Sequence, residues 1–353
     1  MNSVPTNAAP RTLRELRDGI EAGRHTGAQV YAAVDGRTVV DRALGEARPG
    51  VPMRTSTIVE WASATKPVTC VALMRLVDTG LLGLDDPVHK HLPEFTATGD
   101  FPGKNEVTVR RLLTHTAGLT STLTGVEPPE RMVADICASP LAPGWRPGQR
   151  SAYNSVAMWI VAALVARLSG RRFGDFVRTE VFGPAGVEEA WIGMPDEEYD
   201  ARWDDLAVID GFPRSGTRDW VTWERPTGGC HGPIRELGRF YAAFLAGRLC
   251  SPGAVAEMTR PQVAGVYDEY VHATVDRGLG FLLRSSYAGH GYGPHASPDT
   301  YGHGGRNWCV GLADPACGLA AAVYWNGMAD DDVQAVRQPA TLAALYADLG
   351  LVT

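Results

Sequence analysis

The stretch Val107-Thr108-Val109-Arg110-Arg111-Leu112-Leu113-Thr114-His115-Thr116-Ala117-Gly118-Leu119 lies between two apolar runs of helical length. Its first part, Val107 to Thr114, predicts a short helix within a region, Asp85 to Gly118, that otherwise reads as loops. Upstream, Ser63 to Thr79 is strongly apolar and stops at Gly80, which predicts a helix buried on most of its surface. Pro67 falls in its first turn, where a missing N–H is tolerated. Downstream, Ser155 to Ser169 predicts a second apolar helix closed by Gly170.

Further out, Leu13 to Gly23 predicts an amphipathic helix, and Ala28 to Val34 with Thr38 to Ala43 predict two strands joined at Asp35-Gly36, a hairpin. Toward the C-terminus a helix over Ile234 to Gly247 precedes strand-like runs at Gly278 to Leu283, Cys309 to Ala313 and Leu319 to Trp325, then a final helix over Gln338 to Leu349. Asp196 to Pro226 carries Trp203, Trp220 and Trp223 among acidic, Gly and Pro residues; it reads as an irregular segment whose tryptophans either line a cleft or pack in the core. Strands at both ends with helices between them imply an α+β fold: a mixed antiparallel sheet flanked by helices, with an inserted, mostly helical lobe. Residues 1–84 and 225–353 are expected to form the sheet domain and 85–224 the lobe, with the active site in the cleft between them.

Hydrophobic residues at 44% and charged residues at 21% describe a chain able to bury a large core. A net charge of −7 without a Lys/Arg cluster argues against a nucleic-acid partner. Met1 to Asp18 has no apolar stretch of secretory length and no later segment is long enough to span a bilayer, so no membrane partner and a cytoplasmic location are expected. Cys70, Cys137, Cys230, Cys250, Cys309 and Cys317 are widely spaced and suggest buried thiols, neither a disulfide framework nor a metal site. Lys66, Lys90 and Lys104 are the only lysines against 30 arginines, which makes each lysine informative.

Ser63-Ala64-Thr65-Lys66 opens the upstream apolar run. A spacing of three puts both side chains on one helical face, so the amine can reach the hydroxyl and take its proton. Burial and the positive end of the helix dipole both favour the neutral amine that this role needs. The competing reading is a capping serine beside a solvated lysine.

Five segments taken in order resemble the class C β-lactamase-like family, whose members include serine esterases, D-aminopeptidases and related acyl transferases. They are Ser63-Ala64-Thr65-Lys66, Leu84-Asp85-Asp86-Pro87-Val88, Val107 to Leu119, Pro147-Gly148 with Tyr153, and His303-Gly304-Gly305. The resemblance implies Ser63 as nucleophile, Lys66 and Tyr153 as proton-transfer partners, and an oxyanion hole from the backbone N–H groups of Ser63 and Arg306. It implies a structural role for His115.

Two positions depart from the family pattern. The asparagine expected two places after the tyrosine is Ser155, with Asn154 displaced by one, and His303 stands where penicillin-recognising relatives carry a lysine on an edge strand. Both changes argue against β-lactam recognition. Ser155, His303, Gly304, Gly305, Arg306 and Trp308 are the expected substrate-binding residues, the glycines allowing close approach to the backbone. The expected chemistry is an acyl-Ser63 intermediate drawn from a small-molecule ester or amide and released by hydrolysis, with no cofactor and no metal. One alternative is ATP-independent transfer of the acyl group to an amine acceptor; another is a non-catalytic binding module on the same fold.

Overall fold

The computed structural model describes residues 9–97, 101–123, 127–284 and 291–352. Residues 1–8 of the N-terminal stretch read for an export signal therefore lie outside the described residues. Helix α1 (Pro10–Glu21) leads into the expected hairpin, β1 (Gly27–Val34) and β2 (Arg37–Arg48), followed by the short β3 (Val51–Pro52). Three more two- or three-residue strands, β4 (Val59–Glu60), β5 (Trp191–Ile192) and β6 (Cys230–Gly232), form a separate sheet in the order β4-β6-β5. A small hairpin, β7 (Tyr267–Asp268) and β8 (Ala273–Thr274), precedes β9 (Asp276–Arg277), β10 (Leu282–Leu283), β11 (Tyr301–Gly305), β12 (Cys309–Asp314) and β13 (Leu319–Trp325).

The main sheet runs β3-β2-β1-β13-β12-β11-β10-β9, and every pairing in it is antiparallel. Its centre joins the two chain ends, with Ala28 opposite Trp325 and Val34 opposite Leu319. Central strands are buried on both faces, which is why β13 reads as the unbroken apolar run Leu319 to Trp325. The apolar core on one face extends from Tyr31 and Ala33 through the helices to Leu164 and Phe176, continuous across the boundaries expected near residues 84 and 224. Among the described residues no helix is long and apolar enough to cross a membrane.

Three elements differ from their sequence expectation. The helix expected from Ser63 begins as a 3₁₀ turn, Ala62–Thr65, and becomes α2 only at Lys66–Asp78. Pro67 has no N–H to give the Ser63 carbonyl in α-helical register, so that carbonyl accepts from the Lys66 N–H one residue earlier. Of the run Gly278 to Leu283 only Leu282–Leu283 is strand, β10; Gly280, held at φ 82° with its N–H on the Leu113 carbonyl, separates it from β9, which ends at Arg277. The last helix, Asp331–Asp348, starts seven residues early, capped by the Asp330 side chain on the Val333 N–H. Pro339 and the buried polar residues Gln334, Arg337 and Gln338 conceal its apolar period.

Candidate active site

Ser63 stands on a tight turn whose preceding residue, Ala62, has φ 44°, a left-handed conformation costly for any residue but glycine. The turn is pinned by Trp61, whose N–H donates to the Cys230 carbonyl at 2.9 Å and whose indole N–H donates to Gly232 at 2.9 Å. One turn on, Lys66 is 1% exposed. Its Nζ donates to Ser63 Oγ at 2.9 Å and to the Thr227 carbonyl at 2.8 Å.

Strand β11 presses on this turn. A Cβ on Gly305 would collide with the Trp61 carbonyl and Cys309 Sγ, so glycine here admits the protein's own backbone, where the sequence suggested room for substrate. Among the described residues the two-residue β10 pairs with Tyr301 and Gly302, so the strand ladder on that side stops before the end of β11. The strand is thus an edge locally, though not in the sheet as a whole. Arg306 follows at φ 43°. Neither its N–H nor that of Ser63 has an acceptor among the described residues.

The wall carrying Tyr153 is assembled from distant pieces. The Tyr153 ring packs 4.8 Å from His115 and 5.9 Å from His303, centre to centre, and Lys66 Nζ lies 4.9 Å from its centre. Its buried hydroxyl has no hydrogen-bond partner among the described residues. The Tyr153 N–H donates to Asp268 Oδ1 at 2.9 Å. Asn154 turns away from the cleft: its side chain donates to the Leu119 carbonyl at 2.6 Å and accepts from the Val156 N–H at 2.7 Å, at the start of α3 (Ala157–Ser169). His115 Nδ1 accepts from the Asn154 N–H at 3.1 Å, and burial holds its pKa well below the usual histidine value. The neutral ring serves the loop's architecture.

A cleft of about 700 Å³ joins these walls, with Ser63, Tyr153, Ser155, His303, Gly304 and Arg306 on its surface and Lys66 directly behind Ser63. Two expected substrate-binding residues are not on that surface. Gly305 is covered by the Trp61 turn, and Trp308 is 1% exposed, its Nε1 donating to the Glu60 carbonyl at 3.1 Å. The Trp308 ring instead supports Arg306, whose guanidinium carbon sits 5.5 Å from the ring centre. Trp220 also backs the Ser63 turn, its indole N–H donating to Glu60 Oε2 at 2.9 Å. Neither Trp203, Trp220 nor Trp223 reaches the cleft surface.

Several cleft residues carry no motif in the sequence: Tyr270 and His272 on the β7–β8 hairpin, Arg277 on β9, and Asp331 and Asp332 at the last helix's start. Only Arg277 had a local clue, a charge placed beside an apolar, glycine-containing run. A second cavity of about 500 Å³, bounded by Arg178, Trp191 and Glu224, contains none of the candidate residues. Among the described residues no group of three or more His, Cys, Asp or Glu side chains is arranged to hold a metal ion.

A serine in contact with a buried lysine one turn on, beside an antiparallel sheet, points to a class, and comparison with known proteins fixes it. Residues 12–346 match the Beta-lactamase family model, and the chain belongs to that family. It is 28% identical to Esterase EstB of Burkholderia gladioli over 86% of each chain. It is 29% identical to Acyltransferase calJ of Penicillium decumbens, over 67% of this chain and 63% of that protein. The match to Penicillin-binding protein 4* of Bacillus subtilis, 28% identical, spans 46% of this chain and only 37% of that protein's length. Among solved structures, a penicillin-binding protein homologue from Caulobacter crescentus superposes with TM-score 0.82 at 25% identity, over 98% of this chain and 99% of that one.

Proposed function

We propose that the protein forms an acyl-Ser63 intermediate from a small-molecule ester or amide and releases the acyl group to water, an esterase-like activity. The observation that carries this reading is the 2.9 Å contact from Lys66 Nζ to Ser63 Oγ at the surface of a cleft that can hold a small molecule. Lys66 takes the hydroxyl proton as Ser63 Oγ attacks the carbonyl carbon. The carbonyl oxygen becomes an oxyanion received by the N–H groups of Ser63 and Arg306, both without acceptors among the described residues. Tyr153 passes a proton to the departing alcohol or amine and later takes one from the incoming water, whose oxygen bonds to the acyl carbon as the bond to Ser63 Oγ breaks and Lys66 returns the proton to Ser63.

Transfer to an amine is the second reading, favoured by Asp331 and Asp332 at one end of the cleft, carboxylates suited to an amine's positive form, and by the resemblance to an acyltransferase. A cytoplasmic setting is part of the proposal. The test is intact-mass analysis after mixing the protein with a panel of activated esters, amides and β-lactams, with peptide mapping of any adduct. A transient acyl adduct on Ser63 and release of free acid are expected. Absence of any adduct across the panel would return the chain to a binding module, and saturable amide formation that suppresses acid release would make it a transacylase.

A further inference from the structure

Tyr153 belongs to neither a helix nor an extended strand, so its placement depends on side chains that hold it. Asp268 is the centre of that arrangement. One carboxylate oxygen accepts from the N–H groups of Tyr153 at 2.9 Å, Tyr270 at 3.1 Å and Val271 at 3.2 Å. The other accepts from Ser151 Oγ at 3.0 Å and Arg277 Nη2 at 2.8 Å. The two side chains are 0% and 3% exposed. Burial pushes the Asp268 carboxyl up, but Arg277 and the surrounding N–H donors outweigh it and hold it below the usual range, so this is an ion pair at neutral pH.

The pair also reaches the ring. The Arg277 guanidinium carbon lies 5.4 Å from the centre of Tyr153, which Lys66 Nζ approaches to 4.9 Å. His115, Tyr270 and His303 complete the ring's titratable surroundings, and burial keeps His115 neutral. His303 contributes no permanent cation at this tyrosine; Arg277 does, from two strands away. A buried ion pair is not an efficient stabiliser compared with apolar packing, so its value here is geometric.

We propose that Asp268 and Arg277 are positioning residues for Tyr153: Asp268 fixes its main chain, and Arg277 holds its ring against Lys66. The inference rests on the role proposed for Tyr153 above. It is tested by steady-state kinetics of Arg277→Gln and Arg277→Lys, each in the wild-type and Tyr153→Phe backgrounds, using an ester that labels wild-type Ser63. Arg277→Gln is expected to lower kcat by about 10²-fold, the scale of a misplaced reacting group. KM should stay within about threefold, and Arg277→Lys should restore most of the loss. In the Tyr153→Phe background Arg277→Gln should cost nothing further, because its effect passes through the missing hydroxyl.

Unchanged kcat in Arg277→Gln, or a loss that adds fully to that of Tyr153→Phe, overturns the proposal. Should Arg277→Gln fail to fold, Asp268→Asn combined with Arg277→Gln removes both charges and leaves no buried carboxylate unpaired, and the same loss and the same non-additivity are required of it. Failure of wild-type Ser63 to label at all defeats the proposed function; normal labelling with indifferent Arg277 variants defeats only this inference.

Discussion

The two walls of the cleft are held together differently. On the Ser63 wall Ser63 and Lys66 are three residues apart, on one turn, and the lysine is in hydrogen-bond contact with the serine. On the Tyr153 wall the main chain is held by Asp268, more than a hundred residues away, and the tyrosine hydroxyl has no partner among the described residues. The first wall is a local structure that the core merely covers. The second exists only after the β7–β8 hairpin, β9 and the loop at His115 have come together. A mutation in the first should therefore act on chemistry with little effect on assembly, whereas the second should show coupling between distant residues.

The sharpest test of the local wall is Ser63→Ala, expected to abolish the Ser63 adduct and to lower turnover by about 10⁴-fold or more. Thermal unfolding should stay near wild type. Lys66→Arg should be nearly as damaging, because a guanidinium cannot accept the serine proton; turnover comparable to wild type would make Lys66 structural. On the opposite wall, Tyr153→Phe should cost about 10²- to 10⁴-fold in kcat, the range for a positioned acid or base. A loss of less than a few-fold would remove Tyr153 from proton transfer and leave the comparison without its second half.

Gly305→Ala probes the join between β11 and the nucleophile turn. The added methyl meets the Trp61 carbonyl, which is backbone and cannot swing aside, so a destabilisation of about 1–3 kcal/mol is expected, measured by denaturant unfolding. An unchanged midpoint would show that the turn is more yielding than its packing indicates.

Acid should strain both walls together. His115 on one side and His231, on β6 behind the other, are both depressed by burial, His231 to about 3, and His25 near the chain's start to about 4. Folded values below the unfolded value of about 6.5 mean that the unfolded chain binds more protons in that interval. The contribution of these rings should be constant above about pH 7 and be lost as pH drops from about 6.5 toward 3, read as Tm against pH. A constant Tm between pH 7 and 5 would contradict the burial of these rings. The smallest effect expected is that of Ser155→Ala, a loss of a few-fold at most, since the residue lies on the cleft surface without a place in the proposed proton transfer. A larger loss than Tyr153→Phe would exchange their roles.

Much of this architecture could be read in the sequence because its causes are local. The hairpin at Asp35-Gly36, the apolar strand Leu319 to Trp325 and the three-residue spacing of Ser63 and Lys66 follow from turn chemistry, strand burial and helical periodicity. Resemblance added Tyr153 and the His303-Gly304-Gly305 segment; Tyr153, His303 and Gly304 do line one cleft, while Gly305 lies against the Trp61 turn. Trp308 misled because an aromatic next to a motif carries no sign of which way its ring faces; here it faces Glu60.

What the sequence by itself determined was the α+β plan, the family and the pair Ser63–Lys66, each written in neighbouring residues. Only the tertiary structure decided that Asp268 and Arg277 would hold Tyr153, that Gly305 would admit backbone, and that Asp331 and Asp332 would border the cleft. Those placements come from contacts between segments far apart in the chain. No periodicity or spacing encodes them, because each depends on long-range contacts formed only when the sheet has closed.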